Sequence, residues 1–374
     1  MKNVLISGGS IAGPALARSL RRRGFHPTVV ERAPAPRRGG QAVDIRGAAL
    51  DAADRLGILA EARALATRMR GMSVLDGDGN EVMSTTEETY SGGRLDGDDI
   101  EIMRDDLTRL LVDGTRDGVE YVFDDSITAV EQDGRGARVT FERAEPRTFD
   151  LVVGADGLHS NVRRLVFGEE SRFIHHLGTY LAFFRADNFL DLDNWQMWLR
   201  DGDRGYGIYP ARENAEIVIS FGFGSPPLDY DHRDVEQQKR IVAEQFTGLR
   251  WEAPRLLEAM WKAPDFYFDS MAQIRMDHWS AGRVVLLGDA GYCPSPLSGQ
   301  GTSLALVGAC VLADELGVAG DDHRAAFARY EERMHPFVEL NQALATENPG
   351  GPASEESVER AKNAISLGDR TTAG

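Results

Sequence analysis

The stretch VLISGGSIAGPALARSL, residues 4–20, decides the fold of this 374-residue chain. A short apolar run ends in a glycine turn, a helix begins near Pro14, and HPTVVE at 26–31 follows as a second strand. Proline is tolerated in the first turn of a helix, where its missing N–H has no partner to lose. The pattern predicts a β-α-β unit, whose helix N-terminus can hold a pyrophosphate.

One position in this turn departs from the usual glycine pattern. Ser10 stands where the middle glycine belongs, while Glu31 ends the second strand at about the offset of ~20 residues expected for a ribose-binding acid. Serine is small, and its hydroxyl can itself bond a phosphate oxygen. We therefore expect a dinucleotide here, although a turn of this shape also serves purely structural strand-to-helix corners.

Two later motifs narrow the choice of dinucleotide. In DLVVGADGLHSNVRR at 150–164 a strand runs into an Asp-Gly turn. In GDAGYCPSPLSGQGTSLAL at 288–306 a Gly-Asp pair at a strand end is followed by a glycine-rich loop and a long helix. Asp289 at a strand end can bond a sugar-alcohol hydroxyl. The N–H groups that SGQG offers at the mouth of the helix suit a group that becomes negative, such as a reduced isoalloxazine ring. The three motifs together favour FAD.

Composition excludes several classes of partner. A formal charge of −17 argues against nucleic acid as a partner, because proteins that bind nucleic acid neutralise its phosphates with clustered Lys and Arg. The two cysteines, Cys293 and Cys310, give neither a disulfide framework nor metal-ligand spacing, so we expect no metal. We find no signal peptide and no apolar run that would span a bilayer, and we expect a cytoplasmic protein without membrane contact.

The order of elements predicts an α/β protein whose nucleotide-binding domain is interrupted by a second domain and then resumed. Strands in the middle of the chain are aromatic-rich and alternate like those of an antiparallel sheet. We expect a Rossmann-like, mixed-sheet FAD-binding domain with an inserted antiparallel-sheet substrate domain and a C-terminal helix. The expected boundaries are 1–70, 95–169 and 270–320 for FAD, 71–94 and 170–269 for substrate, and 321–374 for the C-terminal helix and tail.

On these motifs, together with MRDDL at 103–107, residues 1–345 resemble the single-component FAD-dependent aromatic hydroxylases with the para-hydroxybenzoate hydroxylase fold. The chain is most similar to their compact tetracycline-inactivating type. The resemblance implies noncovalent FAD, NAD(P)H as co-substrate, and O2 that reacts through a flavin C4a-hydroperoxide. It implies hydroxylation of a small aromatic or polyketide-like molecule by a monomer or homodimer.

The resemblance also assigns residues. Arg46 and Pro296 would be catalytic, with Arg46 near the mobile isoalloxazine and gating its reduction. Arg37 and Arg38 fall where NAD(P)H could be steered, although paired surface arginines are more often simply solvated. The residues implied for FAD binding are Gly8, Ser10, Ile11, Ala12, Gly13, Glu31, Arg32, Asp44, Arg46, Arg104, Asp156, Gly288, Asp289, Pro296, Gly299, Gln300 and Gly301.

The substrate is expected between the two domains, where ligand clefts commonly form. Similarity and strand alternation select six wall residues for a large, flat substrate, and each of them also suits a plain core position. They are Phe183, Trp198, Tyr209, Ile217, Ile219 and Leu297.

Three alternatives share the flavin residues. A reductase or dehydrogenase would use all of them, and a flavin-dependent halogenase is faintly suggested by GYGIYP at 205–210, although the tryptophans of the halogenase motif are missing. A non-catalytic FAD-binding protein is the third, because a fold does not fix a function. The sequence does not distinguish hydroxylation from epoxidation or Baeyer-Villiger oxidation.

Overall fold

A computed structural model describes residues 2–37, 39–348 and 351–368. Its strands are β1 (Asn3–Ser7), β2 (His26–Glu31), β3 (Ala42–Ile45), β4 (Gly71–Leu75), β5 (Glu81–Thr85), β6 (Glu88–Thr89), β7 (Gly93–Arg94), β8 (Ile100–Met103), β9 (Glu120–Phe123) and β10 (Ile127–Gln132). They continue with β11 (Ala137–Phe141), β12 (Arg147–Phe149), β13 (Leu151–Gly154), β14 (Ile174–Asp187), β15 (Trp195–Asp201), β16 (Arg204–Ala211), β17 (Glu216–Gly224), β18 (Tyr267–Ile274), β19 (Ser280–Ala281) and β20 (Val284–Leu286).

The helices connect and cover these strands. They are α1 (Ala12–Arg21), α2 (Ala48–Leu56), α3 (Leu59–Ala64), α4 (Arg104–Asp113), α5 (Asn161–Phe167), α6 (Val235–Phe246), α7 (Ala253–Lys262), α8 (Asp289–Tyr292), α9 (Gly301–Ala319), α10 (His323–Glu347) and α11 (Glu355–Lys362). Two short 3-10 helices lie at Glu170–Arg172 and Pro296–Ser298.

The first large sheet has the strand order β19-β20-β13-β1-β2-β9 and is parallel except at its β19 edge. Its central strand β1 is fully buried over Val4, Leu5 and Ile6, as expected for a strand covered on both faces. The β-α-β start predicted from residues 4–31 is therefore confirmed. Because β1, β13 and β20 are parallel neighbours, the three glycine motifs leave this sheet at the same edge.

The second large sheet has the order β18-β14-β17-β16-β15-β4-β5 and is antiparallel apart from the β15–β4 pair. One face packs against α6 and α7 in an aromatic-rich core. The other face turns toward β3 and β8, where Met103, Tyr209 and Val218 form a small separate cluster. The mixed α/β fold is the one expected; the domain boundaries stay a prediction.

The expectation that no apolar run is long enough to span a bilayer is wrong for one helix. Helix α9 reaches a mean hydropathy of 1.6 and is long and apolar enough to cross a membrane by length and composition. However, 78% of this stretch is buried against the rest of the protein, mainly α1, α2 and α10. Its uniform apolarity is that of a helix surrounded by protein in the core, because such a helix has no polar face to show.

Candidate cofactor and substrate site

The three glycine motifs meet at the carboxyl edge of the first sheet. A Cβ on Gly8 would lie 2.2 Å from the carbonyl oxygen of Ala155, so the first and second motifs touch. A Cβ on Gly288 would lie 3.4 Å from that of Ala12, which brings the third motif against the first. Segments about 150 and 280 residues apart in the chain are thus assembled into one site, as the sequence predicts.

The glycines of the first turn let helix α1 begin very close to strand β1. Gly8 has φ +113°, a conformation that favours glycine. A Cβ on Gly13 would lie 1.9 Å from the Gly8 carbonyl oxygen, so only glycine lets α1 begin this close to β1. Ile11 precedes the helix without a side-chain cap, which leaves its first N–H groups open toward an anion.

Glu31 ends β2 beside this turn. Its carboxylate accepts hydrogen bonds from the amides of Gly9 at 2.7 Å and Ala33 at 2.8 Å. These bonds fix the side chain, and each oxygen keeps a further lone pair for a ribose hydroxyl. The neighbouring Arg32 is exposed.

Arg104 joins the site from the start of α4. Its guanidinium Nη2 donates to the hydroxyl of Ser10 over 2.8 Å, which brings two residues predicted to bind FAD into contact. Burial and the charge of Arg37 lower the pKa of Arg104. A buried guanidinium that donates to a neutral hydroxyl suits an anionic ligand such as a pyrophosphate, because a buried charge needs a counter-charge.

Asp289 begins α8 directly after β20. Burial raises the pKa of its carboxyl, while the charge of Arg104 acts in the opposite direction. A Cβ on Gly301, at the first residue of α9, would lie 3.7 Å from Asp289 Oδ1. The predicted ribityl-binding acid and the predicted flavin-bordering loop therefore face one another.

Unpaired buried polar atoms gather where the flavin ring is expected. Both amide atoms of Gln300, Oδ1 of Asp44 and Nε of Arg46 have no hydrogen-bond partner within the described residues. Arg46 lies beside Gly299, where an added Cβ would be 3.5 Å from its Nη1. Buried polar groups are almost always satisfied, so these three side chains call for a polar ligand. The isoalloxazine pyrimidine edge, with its carbonyls and N–H groups, fits this donor and acceptor set.

Arg46 is held in place by its neighbours. Nη2 donates to Asp44 Oδ2 at 2.9 Å, and the backbone N–H donates to the Ser303 hydroxyl at 3.1 Å. Burial raises the pKa of Asp44 to about 7, although Arg46 acts to lower it. Glu101 lies directly opposite Asp44 in the β3–β8 pair, and burial raises its pKa too.

The loop before α9 carries Pro296 and Leu297 in a 3-10 turn. Ser295 precedes them with φ +76°, a strained value for a residue with a side chain, and Gly299 follows in the left-handed region. Leu297 is 46% exposed. The turn thus places exposed Pro296 and Leu297 just before Gln300.

Asp156 caps the start of α5. Oδ1 accepts from the Ser160 hydroxyl, and Oδ2 accepts from the amides of Asn161 at 3.0 Å and Val162 at 3.1 Å. These bonds fix the carboxylate at the end of the second motif. The expected contact of Asp156 with FAD stays a prediction.

Strand alternation places the five expected wall residues that lie on strands on two opposite faces of the second sheet. Phe183 and Tyr209 face β3, and the Tyr209 hydroxyl accepts from the Ala42 amide at 3.0 Å. Ile217 and Ile219 point the opposite way and are fully buried in the core under α6 and α7. The expectation for these two isoleucines is wrong, because it assigned β17 the wrong phase: a shift of one residue exchanges the faces of a strand.

Trp198 shares the face of Phe183 across the sheet. Gly207 pairs with it, and a Cβ there would lie 2.3 Å from the Trp198 ring, so glycine leaves the space the indole fills. Tyr90 packs on its edge with ring centroids 5.4 Å apart. This arrangement gives the cleft a flat aromatic wall.

Sequence reasoning missed two residues beside this wall. Gln196 is fully buried, accepts from Trp198 Nε1 at 2.9 Å and donates to Ser91. Tyr267 pairs with Phe183 at the start of β18 and lies within electrostatic reach of Asp289. Alternation from Trp198 could have found Gln196, but no local signal marks Tyr267.

Of the two arginines expected to steer NAD(P)H, Arg37 is exposed, and Arg38 lies outside the described residues. Arg37 is close enough to Arg104 for its charge to lower the pKa of Arg104. The role of Arg37 in steering NAD(P)H stays a prediction.

Comparison with known proteins agrees with this geometry. A family model described as an FAD binding domain matches residues 1–345. The chain is 41% identical to a flavin-dependent monooxygenase of an unknown prokaryote, over 92% of this chain and 88% of that protein. The chain belongs to this family of flavin-dependent monooxygenases.

Two further relatives match over nearly the full length. The monooxygenase is 52% identical to the uncharacterised protein Rv1260 of Mycobacterium tuberculosis, over 99% of this chain and all of that one. The crystal structure of the tetracycline destructase Tet(55) superposes with a TM-score of 0.87 at 37% identity, covering 99% of both chains.

The monooxygenase is therefore an oxidoreductase that uses FAD. When bound, FAD supplies the redox chemistry, taking up reducing equivalents from NAD(P)H and activating O2 for transfer to the substrate. The chain supplies position and electrostatics: α1, Ser10 and Arg104 would hold the pyrophosphate, and Asp289 the ribityl chain. Gln300, Asp44 and Arg46 would hold the ring, with Arg46 providing positive charge next to it.

Proposed function

We propose that the monooxygenase hydroxylates flat, fused-ring phenolic molecules of polyketide type, tetracyclines among them, with NAD(P)H as electron donor. The observation that carries this is the match to a tetracycline destructase over 99% of both chains at a TM-score of 0.87.

The chemistry of the cleft face supports the same substrate class. Phe183 and Trp198 offer apolar, flat surfaces that suit stacked rings. Fully buried Gln196 accepts a hydrogen bond from Trp198 Nε1 and so holds the indole in place on this face. A small charged acid would leave the aromatic wall unfilled.

Arg46 and Pro296 border the reacting centre in this proposal. Arg46 would favour the negatively charged reduced flavin, because a fixed positive charge in a dry site stabilises a developing anion. Pro296 shapes the loop against the ring. We further propose that Arg37 helps to steer the phosphates of NAD(P)H, and that the protein acts in the cytoplasm as a monomer or homodimer.

The proposal is tested with the purified FAD-loaded protein, NADPH or NADH, and a panel of tetracyclines and simpler phenols. Tetracycline-dependent NAD(P)H oxidation with a product heavier by one oxygen atom is expected. Trp198→Ala should raise KM by about tenfold through lost stacking and burial. Ile219→Val, behind the same sheet, should leave KM unchanged and cost about 1 kcal/mol of stability.

Three other results would change the proposed substrate class, the proposed reaction or the proposed position of the substrate. Oxygenation of simple phenols but of no tetracycline would reject the fused-ring class. Stoichiometric reduction of a substrate without oxygen insertion would indicate a reductase. An Ile219→Val variant with a raised KM and an unaffected Trp198→Ala variant would show that the substrate lies on the opposite face.

A further inference from the structure

Two exposed histidines and a buried aspartate from three separate segments converge beside Tyr267. His159 lies in the loop between β13 and α5, His232 in the loop between β17 and α6, and Asp269 on β18. One ligand atom from each lies within 4.8 Å of the other two. His159 Nε2 is 3.0 Å and 3.2 Å from the two Asp269 oxygens.

These separations match a metal-ligand set. Four ligands at about 2.0–2.1 Å around a tetrahedral zinc ion lie roughly 3.3 Å from one another. His159 and Asp269 are already at this distance, and His232 needs a modest side-chain rotation to join them. Its ring stands 4.4 Å from that of His159, so the rotation required is small.

Further hydrogen bonds orient His159 and Asp269. His159 Nδ1 lies 2.8 Å from Glu170 Oε1, and buried Arg163 holds the other Glu170 oxygen at 2.7 Å. The Tyr267 hydroxyl donates to Asp269 Oδ2 at 3.1 Å. A carboxylate on the free nitrogen of a ligating histidine is the usual outer partner in metal sites, because it fixes the tautomer and the ring orientation.

His232 differs from its two neighbours in what holds it. Tyr230 packs on its ring with centroids 4.5 Å apart, but its ring nitrogens make no hydrogen bond within the residues the structure describes. An imidazole oriented by packing on Tyr230 and on His159, with its nitrogens available, is ready to act as a ligand.

We propose that His159, His232 and Asp269 form a binding site for a divalent transition metal, zinc above all. Two imidazoles and one carboxylate select such an ion over Mg²⁺ and Ca²⁺, which prefer oxygen ligands. Three protein ligands leave one position for water. This replaces the expectation of no metal, which considered only the spacing of residues near in sequence.

The ion would join the edge of the flavin-binding sheet to the substrate-side sheet. His159 follows β13 of the first sheet, whereas Asp269 belongs to β18 of the second. The ion would take the place of the hydrogen bond between His159 Nε2 and Asp269.

The test is zinc binding to the FAD-loaded protein at mildly alkaline pH, measured by isothermal titration calorimetry, with Co²⁺ as a spectroscopic probe. We expect one zinc ion per chain, visible Co²⁺ bands typical of a four-coordinate site, and a rise in Tm on zinc addition. His232→Ala removes a ligand from an exposed loop and should weaken zinc binding at least tenfold. Asp269→Asn should do the same.

His278→Ala is the matched control. His278 is an exposed histidine that also contacts a carboxylate, Glu331, but it lies in a separate surface groove. We expect this variant to bind zinc like the wild type. No zinc binding by the wild type, unchanged binding in His232→Ala, or an equal loss in His278→Ala would each overturn the proposal and leave His159 as a purely ionic contact.

Discussion

The guanidinium of Arg104 donates a hydrogen bond to the hydroxyl of Ser10 over 2.8 Å. The residues are 94 positions apart. The turn motif predicts Ser10 at a phosphate, and the family resemblance predicts Arg104 at FAD. Their contact explains why the glycine pattern can be broken at position 10. The serine hydroxyl gives a buried arginine one polar partner, and the remaining N–H groups stay available for an anion.

Ser10 tests how position 10 meets the cofactor. Ser10→Gly should keep FAD affinity within about threefold, because one neutral partner of Arg104 is lost but no space is filled. Ser10→Val should weaken FAD about tenfold or more, since a branched side chain blocks close approach and turns Arg104. Fluorescence quenching of FAD titrated with the apoprotein measures both. Equal affinity in the two variants would show that position 10 does not face the cofactor.

Gly8 tests the packing of the first motif on the second. Gly8→Ala places a Cβ 2.2 Å from the Ala155 carbonyl oxygen and forces φ +113° on a residue with a side chain. We expect a loss of roughly 3 kcal/mol or more in stability, seen as a lower Tm in thermal unfolding. Gly134→Ala is the control, because nothing lies within 4 Å of a Cβ there. A Gly8→Ala protein as stable as the control contradicts the described turn.

The Arg46→Ala variant tests whether Arg46 acts in reduction of the flavin rather than in binding of FAD. Its charge lies beside Gly299 and is anchored by Asp44, whereas the pyrophosphate contacts belong to other residues. Arg46→Ala should slow flavin reduction by NAD(P)H at least tenfold, with FAD affinity within about threefold. Stopped-flow absorbance and FAD titration give the two quantities. Loss of FAD with a normal reduction rate after reconstitution would reverse the assignment.

The raised pKa of Asp44 predicts that the stability of the protein depends on pH. Its pKa rises from 3.8 to about 7 in the folded protein, so the folded state binds more protons than the unfolded state between these values. Stability from this group is therefore present at low pH and lost as pH rises toward about 7, by a few kcal/mol at most. The Asp44→Asn variant carries an amide at this position, which does not titrate.

The comparison that checks this is the Tm of FAD-saturated wild type and Asp44→Asn across pH 5 to 8. The variant should gain on the wild type as pH rises and level off above neutrality. A constant difference in Tm would mean that Asp44 is ionised throughout, with Arg46 outweighing burial.

The parts of the site that were predictable from sequence are those with local backbone causes. Gly8, Gly13 and Gly288 mark turns and close approaches that leave a short-range signature, and apolar runs before them mark buried strands. The strand-turn-helix units and the mixed sheet follow from these signals. The long-range meeting of the three motifs follows too, because parallel strands end at one edge.

The rest depended on tertiary contacts that leave no local trace. Alternation along β17 gives two faces but does not say which one meets the cleft, so Ile217 and Ile219 were chosen in place of residues of the other phase. The sequence does not show that both oxygens of Asp156 accept hydrogen bonds at the start of α5. The meeting of His159 with Asp269 spans 110 residues and two sheets.

The most direct test of the account is to supply 18O2 to the FAD-loaded protein with NAD(P)H and a tetracycline, and to follow the product by mass spectrometry. The account predicts a product that carries one labelled oxygen atom, formed only with FAD and the nicotinamide donor present. NAD(P)H oxidation that yields only hydrogen peroxide, with no label in any fused-ring or phenolic compound, would contradict it.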